Sequence, residues 1–252
     1  AAYALGQIAD VRAESALIEA FQAVDTINTN HALNETILEA VGKCGSASYL
    51  PLISSVSTYE NTDNHLLLGQ AKAIYRYMLR GIVVKEGTAK MVEFLANPEI
   101  ERSVRLYAAA YLSRARDLDL SNSADLLSLV FENETEVEIK LFLPQILLKT
   151  QDAGAANLLK IALRSDEDHR LRCNILKAFG STNYRLYRNN IQSRIHDRNI
   201  HVATTAAETI LQFGEARYWK SYMTLSLGEF PWQVKTALLH AVSKFIPGGN
   251  SM

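Results

Sequence analysis

Apolar positions along this chain recur in a spaced block. From Val104, small or apolar residues follow at +4, +5 and +8 (Ala108, Ala109, Leu112), one side of a helix with 3.6 residues per turn. The block returns as Ile139 with Leu143, Pro144 and Leu147, as Leu171 with Ile175, Leu176 and Phe179, as Val202 with Ala206, Ala207 and Ile210, and as Val234 with Leu238, Leu239 and Val242. Successive anchors stand 35, 32, 31 and 32 residues apart. A second series is offset from the first: an apolar pair followed three residues on by another small or apolar residue, at Leu17-Ile18/Phe21, Leu52-Ile53/Val56, Met91-Val92/Leu95, Leu126-Leu127/Val130 and Leu158-Leu159/Ala162. Weaker echoes are Ile191/Ile195 and Tyr222-Met223. Each member precedes an anchor by 11 to 16 residues, with Leu33 and Leu67 as the two earliest anchors. Two helices per repeat, joined by a short turn, satisfy both series. The predicted fold is all-α, an α-α superhelix (solenoid) of about seven helical hairpins plus a truncated N-terminal helix. It runs over 1–246 as a single body, with 247–252 as a flexible tail.

Breakers refine this outline. Residues 1–9 finish a truncated repeat, and Ser15 to Val24 begins the next. Asn30 to Lys43 supplies a second helix, closing at Gly42 and Gly45, residues suited to a left-handed C-terminal turn. Pro51 belongs in a first helical turn, and Pro231 in another before Trp232. Leu66 to Ile82 is longer than its counterparts and is expected to emerge as a loop over Val83 to Gly87. Asn97-Pro98 reads as a helix cap and first residue, with Glu99 and Glu101 in the turn behind it. Ser121 to Ser123 and Asp152 to Gly154 are further breaks. Pro144 falls within a helical block at a core-facing position and predicts a kink there.

AAYALGQIAD at the N-terminus, ILEAVGKCG at 37–45, and a basic residue directly after the anchor (Arg105, Lys140, Arg172, Lys235) resemble the HEAT repeat family over essentially the whole chain. The resemblance implies a non-catalytic module that presents side chains to a protein or peptide partner. A narrower likeness rests on GKCG, YRYMLRGI at 75–82 and DEDHRLRCNILKAF at 166–179, which are similar to the HEAT region accompanying a cyclophilin-type peptidyl-prolyl isomerase domain in some bacterial proteins. That likeness implies an accessory arm of an isomerase and a cell-envelope or periplasmic setting. The isomerase chemistry itself, which needs a β-barrel and an Arg in an F-H-R context, has no counterpart in the residues.

Composition narrows the function classes further. The chain has 252 residues, 48% hydrophobic and 21% charged, with a formal net charge of −1. No global field draws it to nucleic acid or an anionic membrane, so nucleic acid is disfavoured as a partner and a protein or peptide is expected. The expected state is a monomer. No apolar run approaches the length of a membrane span. The first residue already lies inside a helix-like pattern, so the chain reads as an excised fragment. Cys44 and Cys173 lie four repeats apart and read as small core residues rather than a disulfide.

Candidate chemistry is sparse. The histidines (31, 65, 169, 196, 201, 240) show no i, i+4 ligand pair, and His196 and His201 flank a turn. The His-Glu dipeptides of the HEAT-repeat di-iron hydroxylases are absent, as are phosphate loops and nucleophile elbows. No metal, cofactor or catalytic residue is therefore assigned. Arg170 to Arg198 carries seven basic residues (Arg170, Arg172, Lys177, Arg185, Arg188, Arg194, Arg198) against one acid, Asp197, with Tyr184 and Tyr187 interleaved. This is the candidate binding patch. It would suit an acidic peptide or, as the alternative function, a HEAT-like nucleic-acid-binding protein or enzyme that stacks bases on its tyrosines. The bland reading is a solvated face paired with acids such as Glu132, Glu134, Glu136 and Glu138 or Asp166, Glu167 and Asp168. Tyr75, Tyr77, Tyr107 and Tyr111 fall at helical spacing and read as core or inner-groove packing.

Overall fold

Each apolar stripe needs a partner to leave water, and the helices supply it to one another in chain order. The computed structural model of the chain describes residues 1–25, 31–56, 64–165 and 168–247. Its helices are α1 (Ala2–Ile8), α2 (Glu14–Asp25), α3 (His31–Cys44), α4 (Leu50–Ser55), α5 (Asn64–Leu79), α6 (Lys85–Ala96), α7 (Arg102–Arg114), α8 (Ala124–Asn133), α9 (Val137–Lys140), α10 (Leu143–Lys149), α11 (Ala153–Ser165), α12 (His169–Gln192), α13 (Ile200–Phe213), α14 (Trp219–Ser226) and α15 (Trp232–Phe245). Among the described residues there is no strand. The chain divides into two compact units, Ala1–Ile146 and Leu147–Met252, and the division falls inside α10. Each unit is a run of helical hairpins packed in sequence, the packing of an α-α solenoid. In the first, α2 pairs with α3, α4 with α5 and α6 with α7, and each second helix also packs on the next (α1 on α3, α3 on α5, α5 on α7). In the second, α11 pairs with α12 and α14 with α15, while α12, α13 and α15 pack in succession.

All five later anchors are buried, with Val104, Ile139, Val202 and Val234 fully so. The stripe fails in particular places. Leu239, the +5 residue of the last block, is 50% exposed, because no later helix within the described residues covers that side of α15. Leu33 is exposed in the first turn of α3, where Asn34, Ile37 and Leu38 face inward instead. Leu52 and Leu126 are exposed and their neighbours Ile53 and Leu127 are buried, so α4 and α8 bury a narrower stripe than the paired pattern suggests, whereas Leu17-Ile18 and Met91-Val92 are buried as pairs.

Local signals also resolve differently from their simplest reading. Gly42 and Gly45 do not take a left-handed conformation; among the described glycines only Gly81 has a positive φ, of 78°. Gly42 stays helical, and its missing side chain lets α3 touch α5: a Cβ there would sit 2.6 Å from Ala73 Cα. The loop that follows α5 spans 80–84, and Gly87 already belongs to α6. Asn97 ends α6 rather than starting a helix, and Glu101 caps α7 by accepting from Ser103 N–H. Pro144 interrupts its block outright instead of kinking a continuous helix. Its ring cannot accompany an intact turn before it, and the helix breaks at 141–142 between α9 and α10, leaving Pro144 in the first turn of α10. Helix α12 joins two helical segments across Asn183 (φ −159°, ψ 85°), whose Oδ1 accepts from Leu186 N–H to start the second. Of the expected tail only Pro247 is described; 248–252, together with Asn30, Asp166 and Glu167, lie outside the described residues.

The basic residue after each anchor has a structural task. Arg105 reaches a buried Glu134 (2.5 Å) and the Leu95 carbonyl; Arg172 reaches a buried Asp197 (2.8 Å). Lys140 and Lys235 donate to the carbonyls of Glu134 and Gly228. Each cation thus ties its own helix to a segment beside it; the Arg105–Glu134 link is buried and the other three are partly so, and each satisfies polar groups that have left bulk water at least in part.

Two stability outcomes follow. Gly42→Ala drives a methyl into Ala73 backbone that cannot yield, and urea unfolding is expected to show a loss of about 3 kcal/mol, the upper end for overpacking. Arg105→Ala leaves Glu134 buried without its counter-charge and is expected to cost about 3–5 kcal/mol, whereas Arg105→Met with Glu134→Leu recovers most of that loss. Equal stability of the single and double variants would contradict the role given to this pair.

Candidate functional site

The second helices of the first unit present a continuous polar and aromatic face. On α3, Glu35 pairs with Lys72 (2.5 Å) and His65 (2.7 Å) of α5, and Glu39 pairs with Lys43 (3.0 Å) and Arg76 (2.8 Å). Residues i and i+4 share one side of a helix, which is why Glu35 and Glu39 meet Lys72 and Arg76 in register. Burial works to raise the Glu35 carboxyl, but hydrogen bonds from His65 and Lys72 outweigh it and hold the pKa below its ordinary 4.5. Glu39 behaves alike, burial being outweighed by Lys43 and Arg76.

Beyond Arg76 the face becomes a groove of about 550 Å3, lined by Tyr75 and Arg76 from α5, Leu106, Tyr107, Ala110 and Arg114 from α7, Glu138 from α9, and Phe142. Tyr75 and Tyr107 meet edge to face with centroids 5.6 Å apart. The Arg114 guanidinium lies over both Tyr75 (5.9 Å) and Phe142 (5.8 Å) and donates to the Tyr75 hydroxyl. Glu138 is held by Arg102 (3.1 Å), which also takes Glu136 (3.0 Å). The groove therefore offers ring faces and edges between two guanidiniums, Arg76 and Arg114, and one carboxylate, Glu138. The other two spaced tyrosines belong to the core: Tyr77 donates to the Ser46 carbonyl, and Tyr111 bonds Thr88.

In the second unit the predicted patch separates into parts. Arg172, Arg194 and Arg198 come together with Arg164, His196 and Asn199 around Asp197, in a pocket of about 620 Å3. Arg170 is turned to Asp168 (2.8 Å), and Lys177 and Arg185 are exposed elsewhere. Arg188 lies over the Tyr218 ring at 4.1 Å. Tyr184 and Tyr187 are each only 5% exposed, and Tyr187 stacks on Phe179 with centroids 4.1 Å apart. Neither ring is available at the surface, because both fall on the inward side of the second segment of α12 with Ile191. The acids at 134–138 serve Arg105 and Arg102 in the first unit.

Sequence reasoning passed over Arg114, Phe142 and Arg164. Arg114 sits in the last turn of α7 next to a stripe already assigned to packing. Phe142 owes its position to the helix break ahead of Pro144. Arg164 belongs to the preceding first helix, six residues before the counted run. His196 packs on Phe230 (4.9 Å), and His201 stacks on His169 (5.3 Å). Among the described residues no three His, Cys, Asp or Glu side chains converge as a metal would require, and no helix is long and apolar enough to cross a membrane.

Residues 1–23 match the family described as PBS lyase HEAT-like repeat. The match covers α1 and most of α2, a second helix followed by the first helix of the next hairpin, so it supports a HEAT-like repeat. No curated protein matches the chain, and the likeness to the HEAT region of cyclophilin-type isomerases rests on the quoted residues alone.

The lowered carboxyls of Glu35 and Glu39 set a pH dependence. A folded pKa below the unfolded one contributes stability that is complete above the ordinary value of 4.5 and is lost as pH falls through the folded value. Urea midpoints measured from pH 6 down to 3 should fall, and the slope should flatten in Glu35→Gln/Glu39→Gln; an unchanged slope would remove these carboxylates from the account.

Proposed function

We propose that residues 1–246 form a non-catalytic protein–protein interaction module, a monomeric scaffold that holds a peptide segment of a partner protein in the groove between α5, α7 and α9. The observation that carries this reading is the composition of that groove. Tyr75, Tyr107 and Phe142 give apolar ring surface, Arg76 and Arg114 set two guanidiniums against the single carboxylate of Glu138, and Leu106 and Ala110 complete the lining. Tyrosine and arginine are the side chains that contribute most at protein interfaces, since large rigid rings bury area at little entropic cost and a guanidinium stacks and donates at once. Hairpin repeats suit such a role because each presents the same helix face as its neighbour.

The module would work in the same way beside a cyclophilin-type isomerase domain, the accessory role that the narrower likeness implies. The nucleic-acid alternative depends on the basic residues between Arg170 and Arg198, and it loses its base-stacking platform with Tyr184 and Tyr187 in the core.

Peptides selected from a display library against the full chain provide the test. Tyr107→Ala and Arg114→Ala should each weaken the selected peptides by about 2 kcal/mol, roughly thirtyfold, with an unchanged thermal midpoint and modest salt dependence. Peptides that bind both variants as tightly as the wild type would place the interaction elsewhere.

A further inference from the structure

The pocket of the second unit holds more positive charge than its structural duty requires. One carboxylate, Asp197, stands among four guanidiniums: Arg164, Arg172, Arg194 and Arg198. Arg172 takes that carboxylate at 2.8 Å and so repeats the link that Arg105 makes to Glu134 in the first unit. Arg194 lies at 3.7 Å from the same carboxylate, a longer and weaker contact. Arg164 and Arg198 form no ion pair with any described residue. The Nε of Arg172 is buried and has no hydrogen-bond partner among the described residues. Among the described lining residues, with His196 counted as neutral, four cations stand against one anion, a sum of +3.

Such an excess within about 620 Å3 is a standing electrostatic cost unless an anion offsets it. A single carboxylate would neutralise one charge. A phosphate monoester brings about −1.5 to −2 near neutral pH and three acceptor oxygens, which suits several guanidinium forks arriving from different directions. Arg164 comes from the last turn of α11, Arg172 from the start of α12, and Arg194 and Arg198 from the turn before α13, so the forks do converge from three segments. Asn199, the cap of α13, places the amide end of that helix at the rim. A nucleic-acid backbone fits less well: its diesters carry one charge each and need an extended track, while Arg170 is committed to Asp168 and the tyrosines are buried.

We propose that this pocket binds a phosphate monoester, presented as a phosphorylated serine or threonine on a segment of the partner protein. The assignment of the phosphate to a partner rests on the interaction role proposed above; the pocket itself is separate from the aromatic groove.

The experiment uses the full chain and two fluorescent peptide libraries, one with phosphoserine flanked by degenerate residues and one identical but unphosphorylated. Fluorescence polarisation at fixed ionic strength should show at least tenfold tighter binding of the phosphorylated library. That preference should vanish in Arg164→Gln/Arg198→Gln, whose side chains are exposed and leave the Arg172–Asp197 link intact, as an unchanged thermal midpoint would confirm. Inorganic phosphate should compete only at concentrations at least tenfold higher than a phosphoserine peptide. Equal binding of the two libraries, or a preference that survives the double variant, overturns the proposal. So does inorganic phosphate competing as well as the peptide, or a single-stranded RNA probe binding in the same way and lost in the same variant. Tyr107→Ala leaves this pocket untouched, so failure of the groove reading and failure of the phosphate reading are told apart by which variant changes which binding.

Discussion

Consecutive second helices approach one another until there is no room for a side chain at the crossing. A Cβ on Gly6 would lie 2.9 Å from Ala40 Cα, one on Gly42 2.6 Å from Ala73 Cα, and one on Gly69 2.7 Å from Glu35 Cα; on Gly180 it would meet Thr209 Cγ2 at 2.4 Å. Backbones this near place the rest of each helix at fixed distances, so the residues on either side of the contact are constrained too. Alanines fill the flanks: Ala71 and Ala73 on α5, Ala108 and Ala109 on α7, Ala203, Ala206 and Ala207 on α13, all buried. The first helices contribute larger apolar side chains to the core, with Phe94, Met91, Leu127 and Leu159 all buried. The division of labour is between small residues that set spacing and large ones that remove area from water.

That spacing also decides where charge can go. When two helices run this close, long side chains on the exposed face of one reach the other without leaving their own helix, and Lys72 and Arg76 span to Glu35 and Glu39 for that reason. At the helix starts, the residue after the anchor is carried inward beside the core, where a cation needs a fixed partner. Arg105 and Arg172 find carboxylates, while Lys140 and Lys235 find carbonyls. Arginine occurs where the partner is an acid that its planar fork can grip, and lysine where a single oxygen suffices. The recurring basic residue is thus a device for closing the turns between hairpins.

Most of the fold was legible because the repeat makes each residue a copy of an experiment run several times in the same chain. Val104 alone would suggest a helix; five blocks near the same interval leave few alternatives, and all five anchors are buried. What remained hidden depends on neighbours rather than on the stripe. Leu239 satisfies the pattern as well as Leu176 does, yet only Leu176 has a following helix to cover it. Gly42 was read through its conformational freedom, though its use is the absence of volume, which appears only when the facing helix is in place. The groove was half visible, since Tyr75 and Tyr107 could be placed together by spacing, but Phe142 could not be brought beside them without knowing where Pro144 breaks its helix. Counting charge along the chain located a basic segment and misjudged its members, because linear proximity mixes Arg170, Tyr184 and Tyr187 with residues that share no surface with them.

A net charge of −1 gives no hint of the arginine pocket, and the reason is general. Binding responds to the field within a few ångströms of a ligand, screened over roughly 10 Å at ordinary salt, not to the sum over the molecule. Acids are spent near their own cations elsewhere: Glu35, Glu39, Glu134, Glu136 and Glu138 all lie in the first unit and are engaged there. The turn before α13 is left with Asp197 as its carboxylate, and Arg172 already occupies it. Near-neutrality of the whole is therefore compatible with a strongly positive site, provided opposite charges are paired off locally and one turn is left uncompensated. The same link that stabilises the first unit through Arg105 and Glu134 is present in the second, so the arginines added around it there exceed what folding requires.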